Sequence, residues 1–392
     1  MRNITLLFFL TLLPLKIAFA QPLTQEEKLE DFQFLFNSIK ENYPLFGELE
    51  RTHGIKWLEK EEEFRNNIIN TTNDKEFIIA VFDILKQLES QHTDLFPTIK
   101  RNAFLEIYKT AGEERAHWRR TLEQGNDYWS ELLGVEDKPF TSKEEQPYHP
   151  ESLNCAILDT GNVAVIKIRS FDTFQIEQDI ERIEKFLPTI EDYPHLIINI
   201  QDNGGGDSHY WKDHLVPLLS HEDQEYNALY AIRKSDFLKT YFSTIDLKKE
   251  SFKTLQQLPA LPPELNAQDF DFWSESITIK GKRTRPFQGK IYLMVNKGVF
   301  SSAEGLAVFC KASHWATVVG EVTAGDGAGS IDSVIQMLPN SKIMFRYTGE
   351  LALNPDGSSN TEMKTTPDIV MDGKDSEDRL QNFVKTLTAT VN

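Results

Sequence analysis

Cysteine is scarce in this chain, and its scarcity removes several kinds of site. The 392 residues include only two cysteines, Cys155 and Cys310. The nine histidines are scattered, without a paired Cys/His cluster or an H-E-x-x-H motif, so we expect neither a metal nor another cofactor. Both cysteines lie in apolar surroundings, which suit buried free thiols as well as a disulfide.

Basic charge and long apolar runs are also in short supply. Sixty Asp and Glu residues face 42 Lys and Arg residues, which gives a formal net charge of −18. This balance argues against nucleic acid or an anionic membrane surface as a partner. No window after the N-terminus is long and apolar enough to cross a bilayer, so we expect no integral membrane span.

The first twenty residues are typical of a cleaved signal peptide. Arg2 gives a positive start, residues 6–13 form an apolar centre, and Ala18-Phe19-Ala20 is a small-x-small cleavage signature before Gln21. No cysteine follows the cut, so no lipid anchor is indicated. Removal of this segment would take the net charge to −20, because it carries two bases and no acids. We expect a periplasmic or secreted protein.

The remaining chain divides into three predicted parts. Residues 21–98 carry apolar residues at helical spacing and predict a small N-terminal helical domain. Residues 99–152 are polar and predict a helical, partly irregular connector. Residues 153–392 alternate strand and helix patterns, with a mixed, proline-containing probable insertion at 235–285. This alternation predicts an α/β core with helices packed on the faces of a sheet.

A serine stands where one predicted strand, 291–295, leads into a predicted helix, 303–311. A hydroxyl at such a turn is exposed, and the first free N–H groups of the helix point toward any oxyanion formed on attack. Ser301 is therefore a candidate nucleophile. The alternative is that Ser301 or Ser302 only caps the helix.

Three other places offer polar groups, each with a simpler alternative. The predicted strand 196–200 ends in a loop with Gly204-Gly205-Gly206, where backbone N–H groups could approach a ligand. The loop lacks P-loop and dinucleotide spacing, so a plain loop is the alternative. His92 follows an amphipathic helix, and Glu362 lies in a polar loop five residues before Pro367. Considered singly, His92 and Glu362 are each explained equally well as ordinary surface residues.

Taken together, the motifs resemble the tail-specific (C-terminal processing) serine peptidase family. The resemblance covers about residues 24–98 and 153–372 and rests on motif order: V-A-V-I-K-I-R-S-F-D, L-I-I-N-I-Q-D-N-G-G-G, V-F-S-S-A-E-G, V-V-G-E-V-T-A-G and T-T-P-D-I. It implies a crotonase-like α/β spiral catalytic core. It also implies a serine-type peptidase whose partner is a peptide or protein substrate.

Two branches of that family differ in how the serine is activated. One uses a lysine 25 residues after the serine, where this chain has Asp326, and no lysine occurs between Lys311 and Lys342. The other branch resembles the tricorn protease core and interphotoreceptor retinoid-binding protein. It uses a histidine from the N-terminal region and a glutamate near the P-D-I motif, and His92 and Glu362 match those positions.

The resemblance implies a role for each matched residue. Ser301 would be the nucleophile, His92 its general base, and Glu362 the acid that orients the histidine, directly or through a relay. The backbone N–H groups of Ser302 and Gly205 would form the oxyanion hole. Two further residues compete for these roles: His209 as a second candidate base, and Glu350 as an alternative acid.

One departure from the family pattern lies before the glycine turn. The family has an acid and an arginine where this chain has Asn199 and Gln201. If that arginine braces the oxyanion loop, Gln201 would loosen it. The sequence predicts an exported serine endopeptidase. The alternatives are a non-catalytic protein that binds apolar ligands or peptides on the same fold, and a hydrolase of non-peptide esters or amides.

Overall fold

The computed structural model describes residues 22–109, 112–125, 128–134, 148–281, 287–329 and 331–389. The predicted signal segment 1–20 and part of the predicted connector lie outside these residues. The helices are α1 (Gln25–Asn42), α2 (Phe46–His53), α3 (Glu61–Ile69), α4 (Asp74–Lys86), α5 (Thr98–Lys109), α6 (Ala116–Glu123), α7 (Tyr128–Leu133), α8 (Ile176–Phe186), α9 (Val216–Leu219), α10 (Asp236–Tyr241), α11 (Phe252–Leu255), α12 (Ser302–Ser313), α13 (Asn360–Met363) and α14 (Ser376–Ala389).

The strands form three sheets. They are β1 (Asp94–Leu95), β2 (Leu153–Asp159), β3 (Val163–Ile168), β4 (His195–Asn199), β5 (Gln224–Arg233), β6 (Lys248–Glu250), β7 (Phe270–Ile279), β8 (Lys290–Val295), β9 (Thr317–Gly320), β10 (Val334–Met337), β11 (Met344–Tyr347), β12 (Glu350–Leu353) and β13 (Ile369–Val370). The predicted strands at 163–168, 196–200 and 291–295 and the predicted helix at 303–311 are confirmed within one or two residues.

A six-stranded sheet in the order β13-β9-β8-β4-β3-β2 forms the centre of the α/β core. All neighbouring pairs are parallel except β2 with β3. Strands β3, β4 and β8 are near-continuous apolar runs because both of their faces are covered. Successive residues along these strands pack on opposite faces of the sheet. Ile166 and Ile198 pack in one cluster with α12, and Val165 and Ile197 pack on the other face against α14. The predicted α/β class is confirmed.

Two antiparallel sheets complete the fold, in the orders β12-β5-β7-β6 and β1-β11-β10. The predicted insertion at 235–285 supplies β7, which pairs with β5 at ten successive positions. The N-terminal helices share one hydrophobic cluster with these sheets, in which Phe32 and Phe77 join Tyr230 and Leu351. The segment that carries His92 is therefore packed against the rest of the chain.

Three features of the described residues concern the cysteines, potential metal ligands and potential membrane spans. Cys155 and Cys310 are both free thiols, and burial raises the pKa of each. No group of His, Cys, Asp and Glu side chains within the described ranges is arranged to hold a metal. None of the described helices combines the length and the apolar character that a membrane span requires.

Candidate active site

Ser301 occupies the turn between β8 and α12, as predicted. Its backbone angles are φ 54° and ψ −125°, a conformation that costs a non-glycine residue roughly 1–3 kcal/mol. Neighbouring backbone groups hold it there: its N–H donates to the carbonyl of Gly325 (3.4 Å), and its own carbonyl accepts from the N–H of Gly305 (2.9 Å). Its hydroxyl makes no capping hydrogen bond, so the capping alternative does not describe this side chain.

His92 lies beside the serine, although 209 residues separate them in sequence. The distance from His92 Nε2 to Ser301 Oγ is 3.1 Å, which is hydrogen-bonding range. The imidazole also packs on Phe300, with ring centroids 4.9 Å apart. The pairing of Asp94 in β1 with Arg346 in β11 fixes the segment that follows the histidine. The N-terminal region thus places an imidazole beside Ser301.

Asp326 contacts the second ring nitrogen of His92. Its Oδ2 lies 3.0 Å from His92 Nδ1. Burial opposes ionisation of this carboxyl, but the charge and hydrogen bond of His92 outweigh it, so the pKa of Asp326 lies below its ordinary value. An ionised Asp326 accepts the proton on Nδ1, which leaves Nε2 free to accept from the serine hydroxyl. The arrangement Ser301–His92–Asp326 has the connectivity of a serine hydrolase triad.

A buried network holds the loop that carries Asp326. The side-chain oxygen of Asn360 accepts from the backbone N–H groups of Gly327 (2.9 Å) and Ala328 (3.1 Å). The amide nitrogen of Asn360 donates to Glu304 (2.8 Å), which also accepts from the hydroxyl of Thr365 (2.6 Å). Glu304 is fully buried in α12, the helix that follows the serine. The nucleophile helix and the acid loop are therefore tied to each other.

Glu362 is not in the position that the sequence analysis expected. Both of its carboxylate oxygens accept from the Arg51 guanidinium, at 3.1 and 2.6 Å. The two ring nitrogens of His92 are already taken by the serine hydroxyl and by Asp326. Neither Glu362 nor Glu350 therefore contacts the imidazole nitrogens, and Asp326 replaces Glu362 as the acid next to the base.

The sequence did contain a signal for Asp326. This residue stands 25 positions after Ser301, where the dyad branch of the resembling family has its catalytic lysine. A side chain at that position must lie close to the serine in the shared fold. Sequence reasoning used Asp326 only to exclude a lysine, and missed that an acid there could contact a base supplied from elsewhere.

The two predicted oxyanion donors differ in the structure. Ser302 is the first residue of α12, and its backbone N–H has no acceptor within the described part of the chain. The N–H of Gly205 instead donates to the Asn203 side chain at 2.8 Å, so it is already occupied. Its neighbour Gly206 forms a parallel β-bridge with Phe171. In this bridge the Gly206 N–H points away from Phe171. Gly206 is therefore the better candidate for a second donor.

Gly205 still has a structural role that depends on its lack of a side chain. Its φ is +101°, and an added Cβ would lie 2.8 Å from the Phe300 carbonyl oxygen and 2.9 Å from the Ser302 nitrogen. We expect Gly205→Ala to lower the free energy of unfolding by roughly 2–4 kcal/mol, as measured by urea denaturation. Gly204→Ala is the matched control, since nothing lies within 4 Å of its Cβ position. Equal losses in both variants would contradict this account.

Gln201 is braced rather than loose. Its Nε2 donates to the Ser376 carbonyl (2.9 Å), and its Oε1 accepts from Arg379 (2.6 Å). Both partners belong to the start of α14, and Gln201 itself is 1% exposed. An arginine from the C-terminal helix thus supports the glycine turn, in place of the family arginine that the strand lacks. Whether the loop is loosened stays a prediction, but the Gln201 side chain itself is held by these two hydrogen bonds.

His209 does not take the place of a base for the serine. Its Nδ1 lies 2.7 Å from Asp207 Oδ1, and its side chain is 67% exposed. The hydrogen bond to Asp207 raises the pKa of His209 above its ordinary value. The position next to the serine hydroxyl is instead occupied by His92 Nε2, at 3.1 Å from Ser301 Oγ.

Ser301, His92 and Asp326 line one large cleft. Its volume is 1140 Å³, and its lining includes Ser301, His92, Asp326 and the glycine turn at Gly204 and Gly206. Small-molecule sites usually enclose about 300–1,000 Å³. The cleft is therefore large enough for a segment of polypeptide rather than a small group alone.

Several solved structures are similar to this chain over most of its length. A candidate peptidase from Parabacteroides merdae ATCC 43184 has a TM-score of 0.56 at 13% identity, covering 92% of this chain and 96% of that one. Mature CPAF complexed with lactacystin has a TM-score of 0.56 at 12% identity, covering 93% of this chain and 97% of that one. At these identities the likeness concerns the fold.

The family assignment rests on sequence. No curated protein matches the chain. The model of peptidase family S41, in contrast, matches residues 162–371, which is more than half of the chain and includes Ser301 and Asp326. The resemblance noted in the sequence motifs is confirmed, and this chain belongs to peptidase family S41.

Proposed function

We propose that this protein is an exported serine endopeptidase that hydrolyses peptide bonds in peptides or protein tails. One observation supports the proposal above all: His92 bridges Ser301 Oγ at 3.1 Å and Asp326 Oδ2 at 3.0 Å through its two ring nitrogens. A serine hydroxyl needs such a base at neutral pH, and the base needs a partner that fixes its tautomer.

The acylation step follows from this geometry. His92 Nε2 takes the hydroxyl proton as Ser301 Oγ forms a bond to the carbonyl carbon of the substrate. The negative charge on the carbonyl oxygen is stabilised by the N–H of Ser302 and, in our proposal, by that of Gly206. Each such donor contributes about 3–4 kcal/mol to the transition state. The C–N bond then breaks, and His92 gives its proton to the leaving amine.

Deacylation uses the same groups in reverse. A water molecule gives a proton to His92 and attacks the acyl carbon of the ester. The tetrahedral species expels Ser301 Oγ, which regains the proton from the imidazole. Asp326 stays ionised throughout and stabilises the imidazolium in both steps. The low pKa of Asp326 supports this role.

Three finer points belong to the same proposal. The segment 1–20 supports export to the periplasm or the cell exterior. The strand and helix units around the parallel sheet support a crotonase-like core over residues 153–392. The helices α1–α4 support an N-terminal helical region over 21–98, although they share a hydrophobic cluster with the antiparallel sheets.

A serine-reactive fluorophosphonate tests the catalytic proposal without a known substrate. We expect Ser301 Oγ to displace fluoride and form one covalent adduct per chain, detected by intact mass and peptide mapping. Ser301→Ala should remain unlabelled, and a peptide-library digest by the wild-type protein should yield cleaved products. A folded wild-type protein that neither labels nor cleaves would overturn the proposal and favour the non-catalytic binder.

A further inference from the structure

A second carboxyl group in the catalytic cleft has no evident task in the mechanism. Glu350 begins β12, is 8% exposed and lines the same cleft as Ser301 and His92. Its Oε2 has no hydrogen-bond partner within the described residues. Thr348, two residues earlier, also lines the cleft, is 5% exposed and has an unpartnered hydroxyl. Two largely buried residues of the cleft lining therefore each have an oxygen without a partner.

Interactions with the backbone of Gly349 and Glu350 satisfy only part of the Glu350 carboxyl, because its Oε2 stays without a partner. Buried polar groups are almost always paired in native proteins, because an unpaired one is destabilising. Burial raises the pKa of Glu350 well above its ordinary value, and the charge of Asp326 acts in the same direction. Gly329, which also lines the cleft, packs beside this carboxyl, since a Cβ there would lie 3.4 Å from Glu350 Oε1. Glu350 therefore lies in the wall of the cleft with one oxygen unsatisfied.

The charge of the cleft indicates what kind of ligand suits it. The lining carries seven Asp or Glu side chains and three Lys or Arg side chains. The two arginines pair with other acids: Arg115 with Asp332, which also lines the cleft, at 2.8 Å, and Arg346 with Asp94 at 3.3 Å. The charges that act on Glu350 are those of Asp326 and Asp332, and both are acidic. A buried acid in a negative cleft would gain most from a positively charged partner.

We propose that Glu350 is a specificity-determining residue that receives the side chain of a lysine or arginine next to the scissile bond of the substrate. The Thr348 hydroxyl would accept a second N–H of the same cationic group. Binding of the cation would favour the ionised carboxylate, since an opposite charge stabilises the charged form. This inference rests on the proposed peptidase function, because it concerns the substrate of that reaction.

The test compares matched fluorogenic peptides that differ at one position, with Lys, Arg, Gln or Leu on either side of the scissile bond. We expect the wild-type protein to cleave a basic peptide with a kcat/KM above that of its Gln counterpart. In Glu350→Gln this ratio should fall by between roughly tenfold and 10³-fold. Glu350→Asp, which keeps the charge, should retain the direction of the preference and covers the case in which Glu350→Gln fails to fold.

Glu177→Gln is the charge-matched control, since it also removes one carboxylate from the cleft lining. A similar fall of the ratio in Glu177→Gln would assign the preference to the general field of the cleft and overturn the proposal. Fluorophosphonate labelling of Ser301 distinguishes a failure of the proposed peptidase function from a failure of the proposed role of Glu350. Labelling and cleavage without a basic preference would overturn the role of Glu350 alone. The absence of both labelling and cleavage would overturn the peptidase function and this inference together.

Discussion

Replacing Ser301 or His92 by alanine should each lower kcat for peptide hydrolysis by roughly 10⁴- to 10⁶-fold, and replacing both should lower it little further. The reason is that the two groups act as a unit, since Ser301 Oγ and His92 Nε2 share one proton at 3.1 Å. Removal of either leaves the other without a function in proton transfer. Single-turnover and steady-state assays with the best peptide from a library digest would measure the losses.

The adjacent serine provides the control for this experiment. Ser302→Ala keeps the backbone N–H proposed for the oxyanion hole and removes only a hydroxyl that accepts from Trp211 at 3.1 Å. Since one neutral hydrogen bond contributes about 1 kcal/mol, we expect Ser302→Ala to stay within roughly tenfold of wild type. Losses in the single variants that multiply in the double variant would contradict a shared proton-transfer unit.

Replacing Asp326 by asparagine should lower kcat by roughly 10³- to 10⁴-fold. The neutral amide cannot stabilise the imidazolium, and its NH₂ group can donate to Nδ1, which selects the tautomer with the proton on Nε2. That tautomer cannot accept the serine proton. The folded state should survive, because the exchange is isosteric and the loop is held by Asn360 rather than by the aspartate side chain. Activity assays and thermal unfolding of the same preparation would check both parts.

Glu362→Gln tests the alternative that the sequence motifs first indicated. Glu362 pairs with Arg51 at the surface, with the two side chains 21% and 32% exposed, and such pairs contribute about 1 kcal/mol or less. We therefore expect Glu362→Gln to retain activity within roughly tenfold of wild type. The opposite ranking, with Glu362→Gln far more damaged than Asp326→Asn, would return the orienting role to Glu362.

Local pattern predicted the strand and the helix on either side of Ser301, and the family resemblance selected Ser301 as the nucleophile. Ser301 follows an apolar strand of the length and composition of a buried parallel strand, and β8 and α12 lie where that pattern puts them. His92 was reached through the order of motifs and not through any property of its own surroundings. Its contact with the serine depends on how two distant segments pack, which periodicity does not encode.

The parts that sequence reasoning missed depend on side chains that bind backbone groups. The acid next to His92 is Asp326 because Asn360 holds the loop in place through two backbone N–H groups. The Gly205 N–H is unavailable because the Asn203 side chain takes it. The Gln201 side chain is held because its Nε2 donates to the Ser376 carbonyl at 2.9 Å. Each contact joins residues through loop geometry, for which the sequence offers no periodic signal.

The short strand β1 has a consequence for when the enzyme can act. It has only two residues, lies at the edge of its sheet, and positions the base through its pairing with β11. Contacts between residues this far apart along a chain close late in folding. Short edge elements also detach at a lower free energy than global unfolding requires. A chain in which β1 has detached would therefore hold Ser301 without His92, and so could not digest itself or its neighbours until this contact forms.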